Sequence, residues 1–261
     1  MNRFLPKDKA ADLLRTIQQS GIRTEYDPEK HRLTLLDEHG DEQLYFRLPI
    51  TLPAPIKEQT IAKTRINYVI LLIQSGNCAL GYFEDGVNRN HKVFRSYMVR
   101  KKQGKSQIKY LKTKGKSRAG SRVRLGETLE FFENINGRLQ EYFEAHDVNR
   151  IAISCSKTLI PYLFSSKVET PFAKNDPRLY KIPKHIHTPI YEVLLDANRF
   201  LLRGELIYEP AQQTIVDSLL QKAGITGVEE ADEEEFTFEK PDDFEGEDFE
   251  EEEDEEDEME W

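Results

Sequence analysis

Eleven Lys/Arg and no acid fall between Arg100 and Arg124: Arg100, Lys101, Lys102, Lys105, Lys109, Lys112, Lys114, Lys116, Arg118, Arg122 and Arg124. Gly104, Gly115 and Gly120 interrupt the run, and Ser106 and Gln107 follow the first of them. So many cations with so few apolar side chains cannot pack inside a protein, so the segment reads as a loop aimed at a polyanion. Contacts from such residues to phosphates give affinity, salt dependence and orientation rather than sequence choice. A solvated loop without a partner, or one paired with the chain's own acidic tail, is the other reading of the same charges. The remaining chemistry-bearing residues are scattered. His185 and His187 are two residues apart, but no Cys, Asp or Glu spacing completes a metal set around them. Gly76, Gly81 and Gly86 sit in strands and turns rather than in a strand-to-helix phosphate loop. Asp85, Asp176 and Asp196 are too dispersed for the clustered carboxylates of a metal-dependent nuclease. No cofactor or metal is therefore expected.

The elements around the segment follow from periodicity. Ala11, Leu13, Leu14 and Ile17 imply an amphipathic helix over 4–20. Strand-like runs follow at 32–36 and 43–48, with Asp37-Glu38-His39-Gly40-Asp41 turning between them. Pro49, Pro53 and Pro55 then mark a linker. The continuous apolar run Tyr68–Ile73 predicts a strand covered on both faces. Ser75-Gly76-Asn77 predicts a hairpin into a second strand, 77–83, and 92–97 reads as a third. Beyond the basic segment, Leu125, Leu129, Phe132, Ile135, Leu139 and Tyr142 imply a long helix. A buried strand over 150–155, a short helix over 159–164, an edge strand over 179–182 and a helix over 190–202 complete the pattern. Strands alternating with helices imply an α/β layered domain over 64–209. A small α+β module over 1–63 precedes it, and a short helix or linker over 210–228 follows.

The net charge of −10 averages two opposite objects. Residues 229–261 hold 22 Asp/Glu against one Lys, a net of −21, which leaves +11 on residues 1–228. Such a segment cannot build a core and is expected to be disordered. It reads as a solvating tail, a partner-docking segment or a cover for the basic loop. No apolar stretch approaches the roughly eighteen residues of a membrane span. The first residues lack the apolar core of a secretory signal. Cys78 and Cys155 lie in apolar runs, as buried free thiols of a reducing compartment do, with a disulfide or metal pair as the alternative. A cytoplasmic monomer is expected.

The stretch Arg100-Lys101-Lys102-Gln103-Gly104-Lys105-Ser106-Gln107, with Lys114-Gly115-Lys116 and Ser117-Arg118-Ala119-Gly120-Ser121-Arg122-Val123-Arg124, resembles the signature loop of a peptidyl-tRNA hydrolase family. This is the release-factor-like domain of the ankyrin-repeat and zinc-finger tRNA hydrolase of ribosome quality control and of its smaller prokaryotic relatives. The resemblance covers roughly 64–209, and its specific part is the loop. It implies a mixed-sheet, release-factor catalytic-domain-like (RNase H-like) fold and hydrolysis of peptidyl-tRNA on a stalled large ribosomal subunit. Gln107 matches the family's functional glutamine, with Gly104 and Ser106 in the same loop. In that role the Gln107 amide orients the attacking water, and a backbone N–H beside glycine donates to the developing oxyanion. The basic residues would hold rRNA and tRNA phosphates. The release-factor Gly-Gly-Gln triplet is absent, and Lys105 stands where relatives often have a second glycine. The zinc finger and ankyrin repeats are also missing, so a compact prokaryotic-type member is the better match. A non-catalytic ribosome- or tRNA-binding factor using the same loop as an anchor is the alternative.

Overall fold

The computed structural model describes residues 1–55, 65–96 and 119–226, with backbone only over 119–125. The described residues contain two five-stranded sheets. The first is antiparallel and contains β1 (Asn2–Leu5), β2 (Thr24–Asp27), β3 (Arg32–Leu36), β4 (Glu42–Arg47) and β10 (Gly204–Tyr208), in the order β1-β10-β4-β3-β2. The second is mixed: β5 (Asn67–Gln74), β6 (Asn77–Glu84), β7 (Val87–Arg95), β8 (Arg150–Cys155) and β9 (Leu179–Lys181), in the order β7-β6-β5-β8-β9. There β5, β6 and β7 form an antiparallel meander, while β8 and β9 run parallel to β5.

The second sheet has the two covered faces that the run 68–73 requires. Val69, Leu71 and Ile73 point into one core with Phe131, Phe132, Ile135 and Leu139 of α2 (Ala119–Ala145). Tyr68, Ile70 and Leu72 point into the other, with Leu194, Ala197, Phe200 and Leu201 of α4 (Tyr191–Leu202). The short helix α3 (Ile160–Phe164) adds Leu163 to the α2 side. Gly81 lets α4 approach: a Cβ there would lie 2.8 Å from Leu194 Cδ2 and 2.9 Å from Phe83 Cε2. Within α2 the expected stripe is corrected at one position. Leu129 is exposed, and Phe131 takes its place in the core.

The first sheet is covered on one face by α1 (Lys7–Gln19) and α5 (Gln213–Lys222), which bury Leu13, Leu14, Ile17, Val216 and Leu219 against Leu33, Leu44, Phe46 and Leu206. Phe4 and Leu5, expected as the start of the helix over 4–20, belong instead to the strand Asn2–Leu5. Their partner is β10, some 200 positions away, and Pro6 begins the helix only after the strand has ended. Residues 204–222 therefore belong with the N-terminal sheet in space, although they fall near the end of the expected 64–209 unit and beyond it. A glycine at 204 accommodates that packing, since a Cβ would lie 2.8 Å from the Ala10 methyl.

The two sheets meet across a polar junction. Arg47 of β4 and Glu205 of β10 form a buried ion pair, Nε to Oε2 at 2.8 Å. The Arg47 guanidinium also lies 4.1 Å from the Phe200 ring of α4. Beside it His31 is 1% exposed and carries a positive φ of 47°. The Pro49 carbonyl, 3.2 Å from His31 Nε2, can only accept, so Nε2 carries the proton and Nδ1 accepts from the Tyr26 hydroxyl at 2.6 Å. Burial first, and then the Arg150 guanidinium, hold the His31 pKa well below the ordinary imidazole value.

Candidate nucleic-acid interface

The basic segment is carried between β7 and α2. Its entry is fixed by the Ser96 N–H, which donates to the Gly76 carbonyl at 2.8 Å. The Ser96 hydroxyl reaches the Glu127 carbonyl at 3.3 Å, so the third turn of α2 lies beside the entry of the segment at one end of the second sheet. This is the end where β5 and β8 terminate. β7 begins earlier than the expected 92–97 strand, because Asp85 (φ 47°) and Gly86 (φ 94°) make a tight turn directly after β6. Consecutive positive φ values of this kind suit two-residue hairpins, which match the twist of the flanking strands.

Of the residues expected to do chemistry, Gly104, Ser106 and Gln107 lie outside the described residues, as do Arg100, Lys101, Lys102, Lys105, Lys109, Lys112, Lys114, Lys116 and Arg118. Arg122 and Arg124 fall on the first turns of α2, which places their backbone at the return stem. Residues 229–261 are likewise outside the described set. The cationic character does not begin at Arg100, however. Arg95 and Lys92, both exposed, already lie on β7. Their short distance from the basic run in sequence is a signal that composition windows could have caught.

The remaining candidates are not brought together. The His185 and His187 rings meet edge to face with centroids 4.5 Å apart. Among the described residues no group of three His, Cys, Asp or Glu is placed to hold a metal ion. Asp85 pairs with Lys7 at 2.7 Å, Asp176 with Arg178 at 2.7 Å, and Asp196 with Arg199, at three separate places. The Asp176 carboxyl is held below its usual range chiefly by the Arg178 side chain. Cys78 and Cys155 are free thiols flanking Ile73 in register. Burial pushes the Cys155 thiol up to about 12 and the Cys78 thiol well above its ordinary value, so neither presents a thiolate. No described helix is long and apolar enough to cross a membrane. With both thiols protonated, neither described cysteine is a nucleophile, and the basic segment leaves from one end of the mixed sheet.

A mixed α/β unit with a basic sequence segment, containing Gly104 and Gln107, between β7 and α2 fits the release-factor-like resemblance. The family comparison agrees. Residues 68–209, more than half of the chain, match the model of the Bacteroidetes VLRF1 release factor family, and the chain belongs to that family. The matched stretch runs from β5 through β10. A solved structure titled "Vms1 mitochondrial localization core" is similar at 11% identity with a TM-score of 0.37, covering 77% of this chain and 82% of that one. No curated protein matches the sequence.

Proposed function

We propose that this chain is a cytoplasmic, ribosome-associated peptidyl-tRNA hydrolase that frees nascent chains from stalled large ribosomal subunits. The observation that carries the reading is the family match over 68–209, which spans the basic Gly104–Gln107 loop and the elements that present it. In this reading the second sheet and its helices, within the expected 64–209 unit but without β10, form an RNase H-like catalytic unit, a name that the strand order of that sheet supports. It acts as a monomer, and the 229–261 tail takes no part in the chemistry.

The substrate is an ester between a peptide and a tRNA ribose. Gln107 orients the attacking water, whose oxygen bonds to the ester carbonyl carbon. A backbone N–H beside Gly104 or Ser106 donates to the oxyanion that forms on the carbonyl oxygen; its collapse breaks the bond to the ribose oxygen, which leaves with a proton from the water. One such donor is typically worth about 3–4 kcal/mol in the transition state. Arg100, Lys101, Lys102, Lys105, Lys109, Lys112, Lys114, Lys116, Arg118, Arg122 and Arg124 hold rRNA and tRNA phosphates around the loop. RNA supplies much of the active site, so the isolated protein is a poor esterase.

The test uses stalled large-subunit complexes carrying labelled peptidyl-tRNA. Wild type should release the peptide, and Gln107→Ala should slow release by roughly 10²–10³, the cost of losing one positioned polar group, while still co-sedimenting with the subunit. Release by both proteins, or by neither, removes the catalytic assignment. Retained binding without release by wild type would favour an anchoring factor that does no chemistry.

A further inference from the structure

The second sheet is electrically lopsided. Its amino-terminal end for β8 and β9, where the β6–β7 turn also lies, holds Glu84, Asp85, Asp147 and Asp176. Three of the cations there are matched: Arg89 with Glu84 at 2.8 Å, Lys7 with Asp85 at 2.7 Å, and Arg178 with Asp176 at 2.7 Å. The opposite end differs. From Gly86 to Gly126 the sequence has no acid, and from Val148 to Val168 it again has none. Those two stretches contain β7 and β8 and the chain that leaves the carboxyl end of each.

Three exposed cations stand on this side: Lys92 and Arg95 on β7, and Lys157 just past β8. None has an acidic partner within 4 Å among the described residues, and α2's first acids, Glu127 and Glu130, pair with none of them. Register places Arg95 and Lys157 at the same end of the sheet, whereas Lys92, paired with Leu80, points to the α2 face and Arg95 to the α4 face, so these two cations flank the outer edge of β7 from both sides. Arg95 faces Asn77, Asn77 faces Gln74, and β8 runs beside β5 as far as the Ile73–Cys155 pair. Lys157 therefore lies about three strand spacings, or ~14 Å, across the sheet end from Arg95. Lys92 stands one rung group further down the outer edge of β7, which no described strand covers.

We infer that Lys92, Arg95 and Lys157 form a phosphate-binding track for RNA along the β7 edge and over the carboxyl end of the second sheet. The inference rests on the proposal that this chain works on RNA, and it adds contacts outside the basic loop. Charge complementarity selects the occupant: three cations with no acidic partner among the described residues, carried on two acid-free stretches of sequence, with Arg95 five residues upstream of eleven more. A protein partner would want an apolar anchor at the centre of its footprint. The outer edge of β7 instead presents Arg89, Asn90, His91 and Lys92, and its one exposed large apolar residue, Val87, lies at the far, acid-bearing end. Phosphate contacts of this kind add affinity and salt dependence without sequence choice.

The experiment measures binding of the full chain to purified large ribosomal subunits across a salt series. The triple variant Lys92→Gln/Arg95→Gln/Lys157→Gln should lower the slope of log K against log salt by about 2, and raise Kd roughly tenfold or more near 0.1 M salt. Arg89→Gln, at the matched end, should leave the slope unchanged. The charge-keeping triple Lys92→Arg/Arg95→Lys/Lys157→Arg should restore it, which separates lost charge from lost folding. A wild-type slope in the glutamine triple overturns the track. That result is distinct from failure of the hydrolase reading, which is scored on the same subunits by peptide release with Gln107→Ala. Absence of wild-type binding at the lowest salt overturns both.

Discussion

Replacing Glu205 with leucine should be among the most destabilising single changes in the molecule outside its apolar cores. In the native chain Glu205 Oε2 accepts from Arg47 Nε at 2.8 Å, its other oxygen accepts from the Asn2 amide at 3.2 Å, and the two charged side chains are 2% and 5% exposed. Arg47 Nη1 already lacks a hydrogen-bond partner, and Nη2 reaches only the Phe200 carbonyl at 3.4 Å. Once the carboxylate is gone, a buried guanidinium keeps one long hydrogen bond, the face of the Phe200 ring and the neighbouring Tyr180 side chain. Breaking a buried pair from one side typically costs about 3–5 kcal/mol, and Arg47's poor remaining contacts put Glu205→Leu near the top of that range. For a chain of this size that is a fall in Tm of about 10 °C or more. Arg47→Met should cost less, about 3 kcal/mol, because the Asn2 amide still serves the carboxylate. The double variant Arg47→Met/Glu205→Leu should come back to within about 1–2 kcal/mol of wild type, since apolar replacements of a buried pair are commonly near neutral. Urea unfolding followed by both tryptophan-independent circular dichroism and calorimetry gives the four corners of the cycle. A Glu205→Leu loss under about 1 kcal/mol, or a double variant as unstable as the worse single one, would refute the account of this junction as a desolvated, mutually dependent pair.

Further expectations concern the same framework. Because His31 is held neutral, with its folded pKa below the unfolded value, its contribution is fully present above the unfolded pKa and is lost as pH falls towards the folded one. Between about pH 7 and 5 wild-type stability should therefore fall by up to about 1.4 kcal/mol per pH unit through this one proton; His31→Asn, which tolerates the positive φ, should flatten that slope in urea titrations. Gly81→Ala should destabilise by about 1–3 kcal/mol through overpacking against Leu194 and Phe83, read as a lower urea midpoint with an unchanged m value. The buried Asn136 amide donates to the Leu163 and Val168 carbonyls at 2.9 and 2.8 Å. Asn136→Leu should cost about 2–3 kcal/mol by stranding both acceptors, and hydrogen exchange should quicken first over 160–168.

The second sheet was legible in the sequence where its burial is two-sided. Tyr68–Ile73 is apolar at every position because both faces are covered, and the Ser75-Gly76 turn follows at once, with Gly76 at φ 79°. The first sheet was only partly legible. Asn2–Leu5 is four residues long, and its strand conformation depends on partners at 204–207, which no local pattern encodes. The Asp85-Gly86 turn escaped notice because Asp85 adopts a positive φ that its residue type only permits. Leu129 and Phe131 were exchanged because a stripe drawn at three- and four-residue steps fits either one. As for the interface, eleven cations in one run are conspicuous as composition, whereas Arg95 and Lys157 are 62 positions apart and share a surface only through four strands of register. Arg47 and Glu205 gave no sign of each other at all.

The position of β10 between β1 and β4 has a consequence for synthesis on the ribosome. The chain emerges from its amino end, so the first sheet lacks an internal strand until Tyr208 has left the exit tunnel. Until then β1 and β4 are open edges with hydrogen-bonding groups unpaired, a state prone to association with other strands. The β5–β6–β7 meander, made from neighbouring hairpins, has no such wait. A fragment cut to the family-matched span, 68–209, would keep β10 but remove both of its neighbours, leaving Leu206 and Tyr208 without the core that buries them. The smallest piece that can be expected to fold runs from β1 to α5.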